Sequence, residues 1–193
     1  MLTTLAAPAF AETWDIEKGD ITVKAGDAEG TNRVTQGEKD VEDTDTVITG
    51  ESDKNTVTID TSEGNVDVTF DDLKIDASDK GEAAVRVEGN GDVTIELDGD
   101  NELKSGAGHA GLEHNKTDTS GELTIQDKDK NGSLEAVGGF KGAGIGSAGS
   151  NDAQVKITGG NITATSDDWG AGIGSGSYGT GTVEITGGEI NAT

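Results

Sequence analysis

The residues best suited to chemistry in this chain are Asp127-Lys-Asp129-Lys-Asn131-Gly132-Ser133-Leu134-Glu135. Oxygen-bearing side chains alternate ahead of a glycine, in the order D-x-[DN]-x-[DN]-G that wraps a hard cation such as Ca2+. Asp127, Asp129 and Asn131 would be side-chain ligands, Ser133 would offer its carbonyl, and Glu135 would act through a water. The twelfth position, which supplies a bidentate Glu in a full loop, is Gly138. No helices are expected on either side, so the segment reads as a half-loop between two strands. The competing reading is a polar turn partly neutralised by its interleaved lysines.

Aromatic residues make up only 3% of the chain, so their places carry information. Trp169 immediately precedes a Gly-Ala-Gly-Ile-Gly run, Phe140 falls one place earlier in the preceding copy of that run, and Tyr178 lies in the loop after it. Exposed at one corner, these three rings would form a stacking platform for sugar faces. Covering a turn and capping the core is the alternative.

Other residue types point to less. Asp71-Asp72, Asp98 with Asp100, and Asp167-Asp168 fall at turns, where Asp is favoured for local hydrogen bonding. A glycosidase needs two carboxylates about 5 to 9 Å apart across a cleft, and in so acidic a chain any pair could be nominated. His109 and His114 have no third ligand at strand or helix spacing, which argues against zinc. The only arginines are Arg33 and Arg86, little support for a lyase, and Arg86 is expected to face solvent from an alternating strand.

What must position these residues is a repeat. GAGIGS recurs at Gly142–Ser147 and Gly170–Ser175, and KITGGNITAT at Lys156–Thr165 is answered by EITGGEINAT at Glu184–Thr193. Ala143 to Ala171, Ile157 to Ile185 and Ile162 to Ile190 are each 28 apart. A fixed period of about 20 to 50 residues marks stacked units that bury their apolar faces only against neighbours. Each unit holds three short candidate strands. Alternation points Val155, Ile157, Ile162 and Ala164 to one side and Lys156, Thr158, Thr163 and Thr165 to the other. The nearly side-chain-free strand GAGIG permits close backbone approach between layers about 4.8 Å apart.

Earlier segments fit the unit less regularly. Asp20–Lys24, TNRVTQ, DTVITG and NTVTIDT read as strands, followed by NVDVTFDDLKIDAS and AAVRVEG, then DVTIEL, NELKSG and GHAGLE. Leu103 to Leu134 is 31, Ile95 to Ile125 is 30 and Leu112 to Ile145 is 33, so the length drifts through insertions at turns. The expected fold is all-β: a right-handed, single-stranded parallel β-helix of about five coils of roughly 28–33 residues.

The order DIEKGDITVKA, VTIELDGDNELKSG, LTI with GSLEA, GAGIGS and ITGGNITAT resembles the carbohydrate-binding-domain-containing surface proteins of Gram-positive bacteria. The resemblance runs from about Trp14 to Thr193 and rests on scaffold motifs. It implies a parallel β-helix, secretion or attachment to the cell wall, and binding of acidic polysaccharide with calcium. It brings no catalytic motif.

Charge and chain ends complete the reading. Thirty-eight acidic residues against 14 basic ones give −24, a field that repels nucleic acid and anionic membranes. No later apolar run is long enough to span a bilayer. The absence of cysteine excludes disulfides and thiolate metal sites. MLTTLAAPAFA, ending in Ala9-Phe10-Ala11, reads as the remnant of a signal peptide over residues 1–11, although no Lys or Arg precedes Lys18. Residues 12–193 would be the β-helix domain, stopping mid-repeat at Thr193 as a piece of a longer protein. The expected function is an extracellular, secreted or wall-associated carbohydrate-binding or adhesive module, non-catalytic and calcium-stabilised, with a polysaccharide or other glycan as partner. A structural stalk is the alternative, and a calcium-dependent polysaccharide lyase the weaker one. The sequence leaves the oligomeric state open.

Overall fold

Alternating β-branched residues broken by Gly, Asn and Asp give an all-β chain in the computed structural model, which describes residues 10–117 and 120–193. Residues 1–9, most of the expected signal segment, lie outside the described residues. The first strand, β1 (Phe10–Asp15), leads through a 3-10 turn to β2 (Ile21–Ala25) and β3 (Asn32–Gln36). Then come β4 (Lys39–Ser52), β5 (Val57–Asp60), β6 (Val66–Asp76) and β7 (Val85–Glu88). From there the chain runs in sets of three: β8 (Val93–Asp98), β9 (Asp100–Lys104) and β10 (Leu112–His114); β11 (Leu123–Gln126), β12 (Ser133–Gly138) and β13 (Ile145–Gly146). The last are β14 (Ala153–Ile157), β15 (Asn161–Ser166) and β16 (Ile173–Gly174), then β17 (Gly181–Ile185) and β18 (Glu189–Ala192).

Each circuit of the chain visits three parallel ladders in the same order. On the first, Val68, Ile95, Ile125, Ile157 and Ile185 pair in succession. On the second, Ile75, Leu103, Ala136, Ala164 and Ala192 do so. The third aligns Val57, Val85, Leu112, Ile145 and Ile173, so its partners lie 28, 27, 33 and 28 residues apart. These rows point inward, and Val68, Ile95, Ile125 and Ile157 are all buried. Their burial, at roughly 1.5–3 kcal/mol for each large side chain, holds the layers together. Near the N-terminal end Trp14, Ile48, Phe70 and Leu97 share a row. The buried Asp43 carboxylate there accepts from Trp14 Nε1 at 2.7 Å, which satisfies both polar groups.

Two features depart from the expected arrangement. TNRVTQ does not join the parallel stack: β3 pairs antiparallel with both β2 and β4. The cause is local, since only Gly37-Glu38 separates β3 from β4 and Gly37 has φ +60°, which gives a tight hairpin. The 31-residue match of Leu103 with Leu134 also fails, because Leu134 pairs with Asn101 and Leu103 with Ala136. Asn101 is buried at that inward position. Its side chain accepts from Leu73 N at 2.9 Å and donates to the Asp98 and Ser133 carbonyls at 2.9 and 3.0 Å.

The GAGIG strands sit where backbones nearly touch. A Cβ on Gly142 would lie 1.9 Å from the His109 carbonyl oxygen, so no larger residue fits without moving the neighbouring circuit.

Candidate functional site

The half-loop after β11 folds on its own hydrogen bonds. Asp127 Oδ1 accepts from Asn131 N and Oδ2 from Gly132 N, each at 3.2 Å, while Lys130 turns the chain at φ +60°. Asn131 Nδ2 donates to Asp98 Oδ1 and Ser133 Oγ to Asp100 Oδ1, both at 2.8 Å, which ties the loop to the preceding circuit. Glu135 lies further on, exposed on β12 and opposite Glu102 and Thr163. Asp129 is exposed and makes no hydrogen bond or ion pair among the described residues. The five expected ligands therefore do not converge into an oxygen cage of the kind a calcium loop needs. Among the described residues, no group of three or more His, Asp or Glu converges to hold a metal.

The same loop walls a groove of about 560 Å³ that sequence reasoning missed. Its floor is the outward face of the first ladder, with Asp67, Thr69, Thr94, Glu96 and Gln126; Thr44 and Asp45 of β4 and the Gly30–Asn32 segment form the far wall. Asn32 Nδ2 holds that wall to the floor by donating to the Asp67 carbonyl at 2.6 Å and to Thr46 Oγ1 at 2.9 Å. On the near side Lys128 N donates to Glu96 Oε1 at 2.6 Å, and Lys128 Nζ stands 3.5 Å from Glu96 Oε2. Outward polar alternation on separate strands reads in sequence as ordinary solvated surface; only the β3–β4 hairpin makes it concave.

Of the three expected aromatic residues, the fold brings two together. The Trp169 and Tyr178 rings meet edge to face with centroids 6.4 Å apart, and they are 62% and 81% exposed. Phe140, also exposed, has Lys141 Nζ 5.1 Å above its ring instead. Lys141 N donates to the Asp168 carbonyl and Gly108 N to the Phe140 carbonyl, so Gly108, Lys141 and Trp169 occupy one stacked position. All three have positive φ, at 89°, 71° and 69°. Ser150 and Tyr178 share a second such position, at 64° and 65°. A bulky residue there is an outlier, costing roughly 1–2 kcal/mol relative to glycine.

A third cluster surrounds Glu113, which is 2% exposed and pairs with Gly146 on the next strand. Glu113 Oε2 lies 2.8 Å from His109 Nδ1 and accepts from Ala110 N at 3.2 Å; Oε1 faces Asn115 Nδ2 and Arg86 Nε, each at 3.3 Å. Arg86 thus turns across to its buried partner carboxylate on the adjoining strand, with Nε buried and the rest of the side chain partly exposed, and does not simply face solvent. The Glu113 charge is met by His109, Ala110 N and Asn115, while Arg86 Nε, though 3.3 Å away, is buried without a hydrogen bond, and no hydroxyl is hydrogen-bonded to His109 among the described residues. Nearby His114 is buried with Nδ1 unpaired, and burial first, then the Lys116 charge, holds its pKa below the ordinary 6.5; the Gln154 backbone and Asp92 oppose the shift.

A family model described as a beta helix repeat matches residues 155–177, the stretch from within β14 to just past β16. No curated protein and no solved structure matches the chain. The chain is thus an all-β protein that carries a β-helix repeat.

Proposed function

We propose that the chain is a right-handed, single-stranded parallel β-helix of about five full coils, and that it serves as a carbohydrate-binding or adhesive module of a secreted or wall-associated bacterial surface protein, without catalysis. The handedness follows the general rule for parallel crossovers. The function rests on one observation: Trp169 and Tyr178 hold left-handed backbone in the same coil, with their rings exposed and in contact. Scaffold requirements alone favour glycine, as at Gly108. Local strain kept together with exposed rings supports selection for a binding surface, and paired rings offer sugar faces a platform. Calcium enters as a general stabiliser, because divalent ions relieve a net charge of −24 better than monovalent salt does.

The test is binding to arrayed neutral, acidic and amino glycans, for the wild type and for Trp169→Gly with Tyr178→Gly. The double variant should melt at or above the wild-type temperature and lose binding at least about tenfold, as loss of two stacking contacts would give. Unchanged binding would remove the platform. A wild type that binds no glycan would leave the stalk, which the continuous parallel ladders favour, and unsaturated sugar products absorbing in the ultraviolet would identify a lyase.

A further inference from the structure

We infer that the groove between the β3–β4 hairpin and the Asp127–Asn131 loop binds a linear saccharide carrying free amino groups, laid across the strands along the stack. This deepens the carbohydrate-binding reading and rests on it. Two observations carry it, one geometric and one electrostatic.

The floor is periodic. Thr69, Glu96 and Gln126 are successive partners in three adjoining strands, and Asp67 and Thr94 form the neighbouring pair. Such rungs repeat about every 4.8 Å, close to the length of one pyranose unit, so a saccharide crossing the strands meets one polar rung per sugar. An extended peptide repeats its side-chain pattern about every 6.6 Å and falls out of step.

The charge is one-sided. Asp45, Asp67, Glu96 and Asp129 line the groove against the single ammonium of Lys128. The Asp45, Asp67 and Asp129 carboxylates have no partner among the described residues, whereas Glu96 is engaged by Lys128, whose N donates to Oε1 and whose Nζ lies 3.5 Å from Oε2. A uronate chain would be repelled here, whereas ammonium groups would donate to the exposed Asp45, Asp67 and Asp129 carboxylates through charge-assisted hydrogen bonds. Trp, Tyr and Phe are absent from the lining, so binding is polar and weakens with salt, unlike stacking on Trp169.

Calorimetric titration at about pH 6 with four probes decides the matter: a glucosamine hexamer, its N-acetylated counterpart, a galacturonate hexamer and hexalysine. The glucosamine hexamer should bind at least about tenfold more tightly than the acetylated one, as ammonium–carboxylate pairing implies, and lose that advantage in high salt. Asp67→Asn with Glu96→Gln, isosteric changes of which the second also weakens the tie to Lys128, should abolish the preference with the circular dichroism spectrum unchanged. Asp67→Asn with Asp129→Asn, both at exposed and unpartnered residues, should lower it without touching that tie, while Trp169→Gly should leave it intact. If saccharides bind but the preference is missing, or survives in the Asp67/Glu96 variant, the groove assignment falls and the carbohydrate reading stands. If no saccharide binds, both fall. If hexalysine matches glucosamine and both are lost in the variant, the groove is a general cation site and the saccharide assignment falls.

Discussion

Asp71 and Asp98 lie directly opposite one another in adjoining parallel strands, a like-charge rung on the outer surface. Partial burial first, then the charges of Asp98 and Asp72, hold the Asp71 carboxyl above its ordinary value of 3.8. A raised acid is favoured in its protonated form by folding. The stability it contributes is therefore fully present below the unfolded value and lost as pH rises through the folded one. At neutral pH the ionised pair is a liability, and Asp71→Asn should raise the melting temperature in low salt by the equivalent of about 0.5 kcal/mol, the scale of surface substitutions. Calcium at matched ionic strength should also raise the wild-type value relative to EDTA, and raise that of Asp71→Asn by less. Equal melting curves in EDTA and calcium would end the charge-relief argument.

His114 occupies an inward position whose partner on the preceding strand is Val87. Because burial holds its pKa below 6.5, folding selects the neutral ring. Stability from this group is full above the unfolded value and is lost as pH falls below 6.5 toward the folded one, with a slope of at most about 1.4 kcal/mol per pH unit. His114→Val should flatten the stability profile between pH 7 and 5. The lowered carboxyls of Asp60 and Asp76, held chiefly by hydrogen bonds from Ser62 and Ser78, lose their contribution only at lower pH and should be untouched. A variant with the wild-type slope in chemical-denaturation curves would remove His114 as the cause.

The regular part of this fold was legible because one signal sufficed. Ile145 and Ile173 pair at the 28-residue spacing of two nearly identical segments. The β3 hairpin was hidden because alternation marks a strand without giving its direction; its signal was the two-residue connection at Gly37-Glu38. The groove was hidden for a different reason, since its residues come from strands that only stacking brings together. Leu103 misled the register because an inward position held Asn101, where an apolar residue was expected. Asn101→Leu restores the apolar pattern and tests which matters more. It would leave Leu73 N without its acceptor and two carbonyls without donors, a net loss of about 1–3 kcal/mol. Unfolding in urea that shows equal or greater stability for the leucine variant would mean that the pattern outweighs the hydrogen bonds.

Two glycines separate contact between circuits from backbone freedom. Gly37 has φ +60° and open space around the position of a Cβ, so Gly37→Ala meets only the left-handed backbone penalty, about 1 kcal/mol. Gly142 has no such φ, but its Cβ would lie 1.9 Å from the His109 oxygen, 2.3 Å from the His109 carbonyl carbon and 2.9 Å from Ala110 N. All three are backbone atoms and cannot turn aside as a flexible side chain can. Gly142→Ala must push the neighbouring circuit away, stretching the bonds of Gly139 N to the His109 carbonyl and Gly111 N to the Ala143 carbonyl, now 3.0 and 3.1 Å. Its loss should reach the upper end of overpacking effects, about 3 kcal/mol, and hydrogen exchange should quicken at Gly111 and Gly139 in particular. Comparable stability losses for the two alanine variants, without local change in exchange, would show that the circuits do not meet at Gly142 as tightly as described.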